Sequence, residues 1–191
     1  VVAVDASGNV AAVLHTINTD LWGSTGIIVD GVPIADIQSR QQRILARIQP
    51  GGRVPDPTNP LIVLKDGKPV LASSSIGMGL HEQTLLSIVN VLEYGLDPAT
   101  AVDTGQFLRP MYFYAAAAGD SGSIGSQVVA AGEFSAAMLD SIRARGRTIT
   151  ILPQARAGGF RGGWVGIQID RATGMLYGAA PRFFNGWAIG W

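Results

Sequence analysis

Three times in this chain a short apolar run meets an Asp/Gly-rich turn and is answered by a second apolar run, and this unit restricts the fold more than any other feature. It occurs at Val2–Val4, Asp5–Asn9 and Val10–Leu14; at Leu61–Lys65, Asp66-Gly67 and Pro69–Ala72; and at Trp164–Ile169, Asp170–Gly174 and Met175–Ala179. Asp, Gly and Asn supply the side-chain hydrogen bonds and positive φ of hairpin turns. The likeness is one of turn chemistry and is not a sequence repeat. Between the hairpins, Leu80–Tyr94 places Leu85, Ile88, Val89 and Leu92 at helical spacing, with Gly95 as the stop. Phe134–Arg145 puts Met138, Leu139 and Ile142 on one face, carries Arg143 and Arg145 in its last turn, and meets Gly146. Asp97-Pro98-Ala99-Thr100 has the capping chemistry of a shorter helix ending near Gly105. Strands first, helices in the middle and strands last predict an α+β fold with helices layered on an antiparallel sheet. Ala35–Asn59, Ala115–Gly132 and Pro153–Gly163 read as irregular. The sequence shows no domain boundary, so residues 1–191 are expected to form one domain.

Composition enters through what it excludes. Apolar residues make up 47% and charged residues 15% of the chain, a greasy balance that predicts a surface partly covered by a partner polypeptide. A formal net charge of +0 argues against a nucleic-acid or anionic-membrane partner held by long-range attraction. With no cysteine there is no thiolate metal site, disulfide framework or cysteine nucleophile, and two isolated histidines do not make a metal site. No apolar run approaches the roughly 20 residues of a membrane span. The compartment stays open. Because the chain starts directly in strand-like sequence, without Met or a leader, it is expected to be a fragment or a processed product.

The chemistry concentrates in Asp5–Thr19. After the turn at Asp5, Ser7, Gly8 and Asn9, the small apolar run Val10–Leu14 ends in a polar cluster of His15, Thr16, Asn18 and Thr19. Four hydrogen-bonding side chains at the end of an apolar strand are more than a structural strand needs. The run resembles the start of the small subunit of gamma-glutamyltranspeptidases. Further motifs of that family follow in order: Thr25–Val29, the hairpin Pro60–Lys68, the turn within Leu71–Gly79, the helix end Val89–Leu96, and the closing Gly174–Arg182.

The resemblance implies an αββα sandwich of the N-terminal-nucleophile hydrolase type, completed by a separate large subunit cut from the same precursor. It implies no cofactor and a small-molecule amide or peptide substrate. In such enzymes a threonine freed by self-cleavage attacks the amide, its own α-amine takes the proton, and nearby donors hold the oxyanion. The family's nucleophile would lie about three residues before Val1. Thr16 matches the threonine that hydrogen-bonds the nucleophile; read alone, it is an ordinary strand threonine. Asn18 matches a substrate-contacting asparagine and reads equally as a turn-former. The paired oxyanion glycines fall at Ile76-Gly77.

Several departures from the family pattern matter. The acidic loop that grips the glutamyl group reads Asp30-Gly31-Val32-Pro33-Ile34-Ala35-Asp36-Ile37. One acid, Asp36, stays near its place, as a contact for a substrate amine or as a turn cap. The paired serines before the hairpin become Asp56-Pro57, where Asp56 is a substrate contact or a turn residue of a Pro-rich loop. The expected activity is therefore that of a gamma-glutamyltransferase-like amidohydrolase or acyltransferase with altered specificity. A catalytically inactive member kept as a binding or scaffold subunit is the other reading. His15 and His81 are expected to be structural. Gly77-Met78-Gly79 lacks the third glycine and lysine of a phosphate loop. The Arg-Gly-Gly run at Ala155–Gly163 is expected to be a loop, and Trp187 and Trp191 to pack against the large subunit.

Overall fold

A computed structural model describes residues 1–16, 25–34, 46–53, 58–108 and 126–190. Two compact units emerge, one formed by Val1–Val13 with Asn59–Trp191 and the other by Leu14–Thr58.

The larger unit is built on a four-stranded antiparallel sheet in the order β11-β10-β6-β5. These strands are β5 (Leu61–Lys65), β6 (Lys68–Gly77), β10 (Gly162–Ile169) and β11 (Leu176–Ala179). The hairpin β1 (Val2–Val4) and β2 (Val10–Ala12) packs against β5, β6 and β10. Each expected turn closes by local chemistry. Asp5 accepts the backbone N–H groups of Ser7 and Asn9 at 2.9 and 2.8 Å. Asp66 and Gly67 take positive φ of 52° and 72°, the geometry of a two-residue turn that suits strand twist. The Asp170 side chain accepts from Ala172 N–H and from the Thr173 hydroxyl.

Helix α1 (Leu80–Leu92) packs on β6 and β10, and α2 (Pro98–Val102) packs beside it on β10 and β11. Asp97 caps α2 by accepting the Thr100 N–H at 3.0 Å, and Pro98 fills its first turn. Leu71, Val91, Ala101 and Trp164 form the apolar core of this layer. Trp164 lies fully buried across Gly166, where an added Cβ would come within 2.0 Å of the indole. Much of the remaining helix–sheet seam is polar. Gln83, Thr84, Ser87 and Asn90 face inward, whereas Leu85 and Leu92, which share their helical spacing with Ile88 and Val89, point outward at 68% and 38% exposure.

The second sheet, in the order β7-β8-β9, holds β7 (Phe107–Leu108), β8 (Ser126–Ala130) and β9 (Thr148–Leu152). β8 and β9 are parallel, connected through α3 (Ala136–Ala144), an arrangement that a hairpin reading of the sequence does not supply. Ser135 caps α3 through the Met138 N–H at 3.2 Å. Leu108, Val128, Ala130, Leu152 and Ala157 make the core here. Two expected irregular segments need correction. Ala115–Gly132 contains β8, its residues 115–125 lying outside the described ones. Pro153–Gly163 folds into α4 (Gln154–Ala157), a 3-10 turn at Gly158–Phe160 and the start of β10, because Ala157 and Phe160 have the second core to pack against.

In the smaller unit, β3 (Ile28–Val29) and β4 (Val32–Pro33) form a hairpin. Asp30 and Gly31 turn it with φ of 50° and 80°. The Thr25 hydroxyl ties its open end, donating to the Ile34 carbonyl at 2.8 Å.

Candidate active site

The best-defined chemistry sits where β6 runs into α1. Ser73, Ser74 and Ser75 are buried in the strand, and the chain emerges at Ile76 and Gly77. Gly77 adopts φ +89°, a left-handed value that glycine reaches without strain. A side chain there would also collide, since an added Cβ would sit 2.6 Å from the Arg161 carbonyl oxygen and 2.9 Å from the Phe184 ring. Gly77 and Ile76 pair in register with Gly162 and Gly163 of β10. Gly79 donates its N–H to the Arg161 carbonyl at 3.2 Å, and its own carbonyl receives the Gln83 N–H at 3.0 Å as α1 begins. An added Cβ on Gly162 would lie 2.2 Å from the Gly79 carbonyl oxygen. Small residues are thus required on both sides of this junction. Its backbone is held in one shape next to the partial positive charge of a helix N-terminus, a setting suited to stabilising an oxyanion.

The Arg161 backbone that seats this turn is anchored by its own side chain. The guanidinium makes a bidentate pair with Glu133, at 2.8 Å (Nη2 to Oε2) and 3.2 Å (Nη1 to Oε1). Both side chains are about five-sixths buried, at 16% and 14% exposure. Glu133 also accepts the Gln106 N–H at 3.3 Å, and Arg161 reaches Gln154 Oε1 at 3.4 Å. The hydrogen bonds from Arg161 hold the Glu133 carboxyl below its ordinary value of 4.5, outweighing the opposing effect of burial. Beside this pair lies a cavity of about 410 Å³, lined also by Asp103, Gln106, Gln154 and Arg182. Sequence reading missed the pair because Arg161 stood in an Arg-Gly-Gly run; its one local signal was a lone Glu133 just before a helix cap at Ser135.

Of the residues singled out from sequence, the structure places Ile76 and Gly77 together at this junction. Thr16 is exposed at the last described position after β2 and belongs to the smaller unit. Asn18, Asp36 and Asp56 lie outside the described residues. The clamp segment that begins at Asp30-Gly31 starts as the β3–β4 hairpin. His15 and His81 are both exposed. Among the described residues no group of three or more His, Cys, Asp or Glu side chains could hold a metal, and no helix is long and apolar enough to cross a membrane.

The layered α+β fold is that of the solved gamma-glutamyltranspeptidase chains. The family model for gamma-glutamyltranspeptidase matches residues 1–188, so this chain belongs to that family. It is 30% identical over 119 residues to a glutathione hydrolase proenzyme of Pseudomonas sp. (strain A14), a match covering 54% of this chain and 20% of that protein. A gamma-glutamyltranspeptidase of Helicobacter pylori superimposes with a TM-score of 0.69 at 20% identity, over 96% of this chain and 98% of that one. LmbA2991 superimposes at 0.54 with 25% identity, over 85% of this chain and 26% of that chain. The chain therefore matches only a fifth of its curated relative's length but nearly all of the solved Helicobacter chain.

Proposed function

We propose that this chain is the single-domain, nucleophile-bearing small subunit of a gamma-glutamyltransferase-like amidohydrolase or acyltransferase. The observation that carries the reading is the family match across residues 1–188. In the proposed reaction a threonine hydroxyl upstream of Val1 attacks an amide carbonyl and gives its proton to that residue's α-amine. The backbone amides at Ile76 and Gly77 hold the oxygen of the tetrahedral intermediate. The amine then leaves with a proton, and the acyl ester is released to water or to an acceptor amine.

Thr16 is proposed to orient the nucleophile, the role that its match to the family pattern implies. Asn18, Asp36 and Asp56 are proposed to read the substrate, and the large subunit to complete the site. Altered specificity rests on Asp30–Pro33, which form a tight hairpin where the family has its glutamyl-binding acids. The same observation favours the second reading, a subunit that binds without turning over.

The test is to express the full-length precursor and incubate it with a γ-glutamyl anilide and a panel of other acyl anilides, following release of the amine and the intact mass of the smaller chain. The proposal expects a mass increase equal to one acyl group. Absence of both acylation and turnover across the panel selects the binding subunit.

A further inference from the structure

The junction at Gly77 belongs to the main sheet, but the carboxylate that anchors it reaches across from the second one. Arg161 immediately precedes β10, whereas Glu133 lies in the turn between β8 and α3. That turn is itself held in place. Gly132 enters it at φ +80°, a left-handed value that glycine adopts without strain. Gly105 passes so close that an added Cβ would lie 2.9 Å from the Glu133 carbonyl oxygen and 3.1 Å from its Cγ. Phe134 stacks on Phe107 of β7 with ring centroids 5.0 Å apart. The carboxylate thus has its position set before it meets Arg161, and its Oε1 is shared between the guanidinium and the Gln106 N–H. A further tie runs the same way: Gln154 donates from Nε2 to the Ala131 carbonyl at 2.7 Å and offers Oε1 to Arg161 at 3.4 Å.

What Arg161 carries is the backbone of the junction. Its carbonyl oxygen receives the Gly79 N–H at 3.2 Å and stands 2.6 Å from the place a Cβ on Gly77 would occupy. Its own N–H donates to the Gly158 carbonyl at 3.3 Å. A shift of Arg161 therefore disturbs both ends of the Gly77–Gly79 turn. We infer that Glu133 is a positioning residue for amide cleavage, acting through Arg161 to fix the amides at Ile76 and Gly77 where the oxyanion forms. The inference rests on the amidohydrolase reading proposed above and adds to it a residue supplied by the second sheet. Donors stabilise a developing oxyanion because they are already aimed at it and need no reorganisation during the reaction. A displacement of about 1 Å can cost about 100-fold in rate, so a buried two-pronged contact that locks the supporting strand bears on turnover as well as on stability.

The experiment compares the full precursor as wild type, Glu133→Gln, Arg161→Lys and Asp170→Ala on the acyl anilide that the wild type turns over, with hydrogen exchange followed by mass spectrometry on the same samples. Glu133→Gln keeps the size of the side chain and removes its charge, and Arg161→Lys keeps the charge and gives up the two-pronged contact. Asp170→Ala is the control: it loosens the β10–β11 turn, where Asp170 accepts from Ala172 and Thr173, at the far end of β10 from the junction. Glu133→Gln is expected to lower kcat about 10- to 100-fold with KM within about twofold, and Arg161→Lys to move kcat in the same direction. Exchange in Glu133→Gln should rise in the peptide spanning Ile76–Leu80 and stay unchanged in β5. Asp170→Ala should keep the wild-type kcat. A wild-type kcat in Glu133→Gln, a change in KM alone, or an equal fall of kcat in Asp170→Ala overturns the inference and leaves the amidohydrolase reading standing. A wild-type precursor that neither takes up an acyl group nor releases amine removes both.

Discussion

The Arg161–Glu133 pair gives the sharpest energetic prediction. Glu133→Ala removes two charge-assisted contacts, at 2.8 and 3.2 Å, and the acceptor of the Gln106 N–H. Arg161 is left with Gln154 Oε1 at 3.4 Å as its remaining side-chain acceptor. An exposed pair would be worth about 0–1 kcal/mol, while breaking a fully buried one costs about 3–5 kcal/mol. With both side chains near 15% exposure, the cost falls toward the upper range, about 2–3 kcal/mol. The partner variant Arg161→Met and the double variant complete a mutant cycle, for which we expect a coupling of about 2 kcal/mol by urea denaturation at neutral pH. The pH dependence has a definite sign. Because the folded carboxyl titrates below its ordinary 4.5, the stabilisation is present above that value and is lost as pH falls through the folded pKa. Glu133→Gln should therefore flatten the acid limb of the stability curve. A coupling under about 0.5 kcal/mol, with acid limbs that superimpose, would refute the reasoning.

Further outcomes follow from the same geometry. Gly77→Ala places a Cβ in left-handed backbone and against the Arg161 carbonyl; a loss of at least about 1–2 kcal/mol in the urea midpoint is expected, with amide turnover falling more steeply than stability. Gly166→Ala displaces the Trp164 indole and should cost about 1–3 kcal/mol, read together with a change in tryptophan fluorescence. Thr16→Ala should leave stability unchanged and lower kcat about 100-fold with little change in KM, measured on whichever amide the precursor turns over.

The parts of the fold that sequence reveals are those fixed by local chemistry. Asp5, Asp66-Gly67 and Asp170 close their turns with side chains or dihedrals of their own, so all three hairpins were legible. Asp97 and Ser135 likewise announce their helices. What escaped depends on neighbours distant in sequence. Spacing shows that Leu85, Val89 and Leu92 share a face but not that the sheet prefers Gln83, Thr84 and Ser87. That choice is made by Ser75, which meets Thr84 across the seam. The parallel pairing of β8 with β9 spans a helix, and β8 itself hid in a run of small residues. For the candidate site, Gly77 was visible as a turn glycine, whereas the pairing of Arg161 with Glu133, 28 residues apart, has no local signature.

The most direct test of the central claim is N-terminal sequencing and intact mass of the smaller chain recovered from the full-length precursor. The account predicts a chain that starts at a threonine about three residues before Val1, co-purifies with a larger chain, and gains one acyl group when given substrate. A precursor that stays uncut, or a smaller chain that starts with a residue bearing no hydroxyl or thiol, would contradict it.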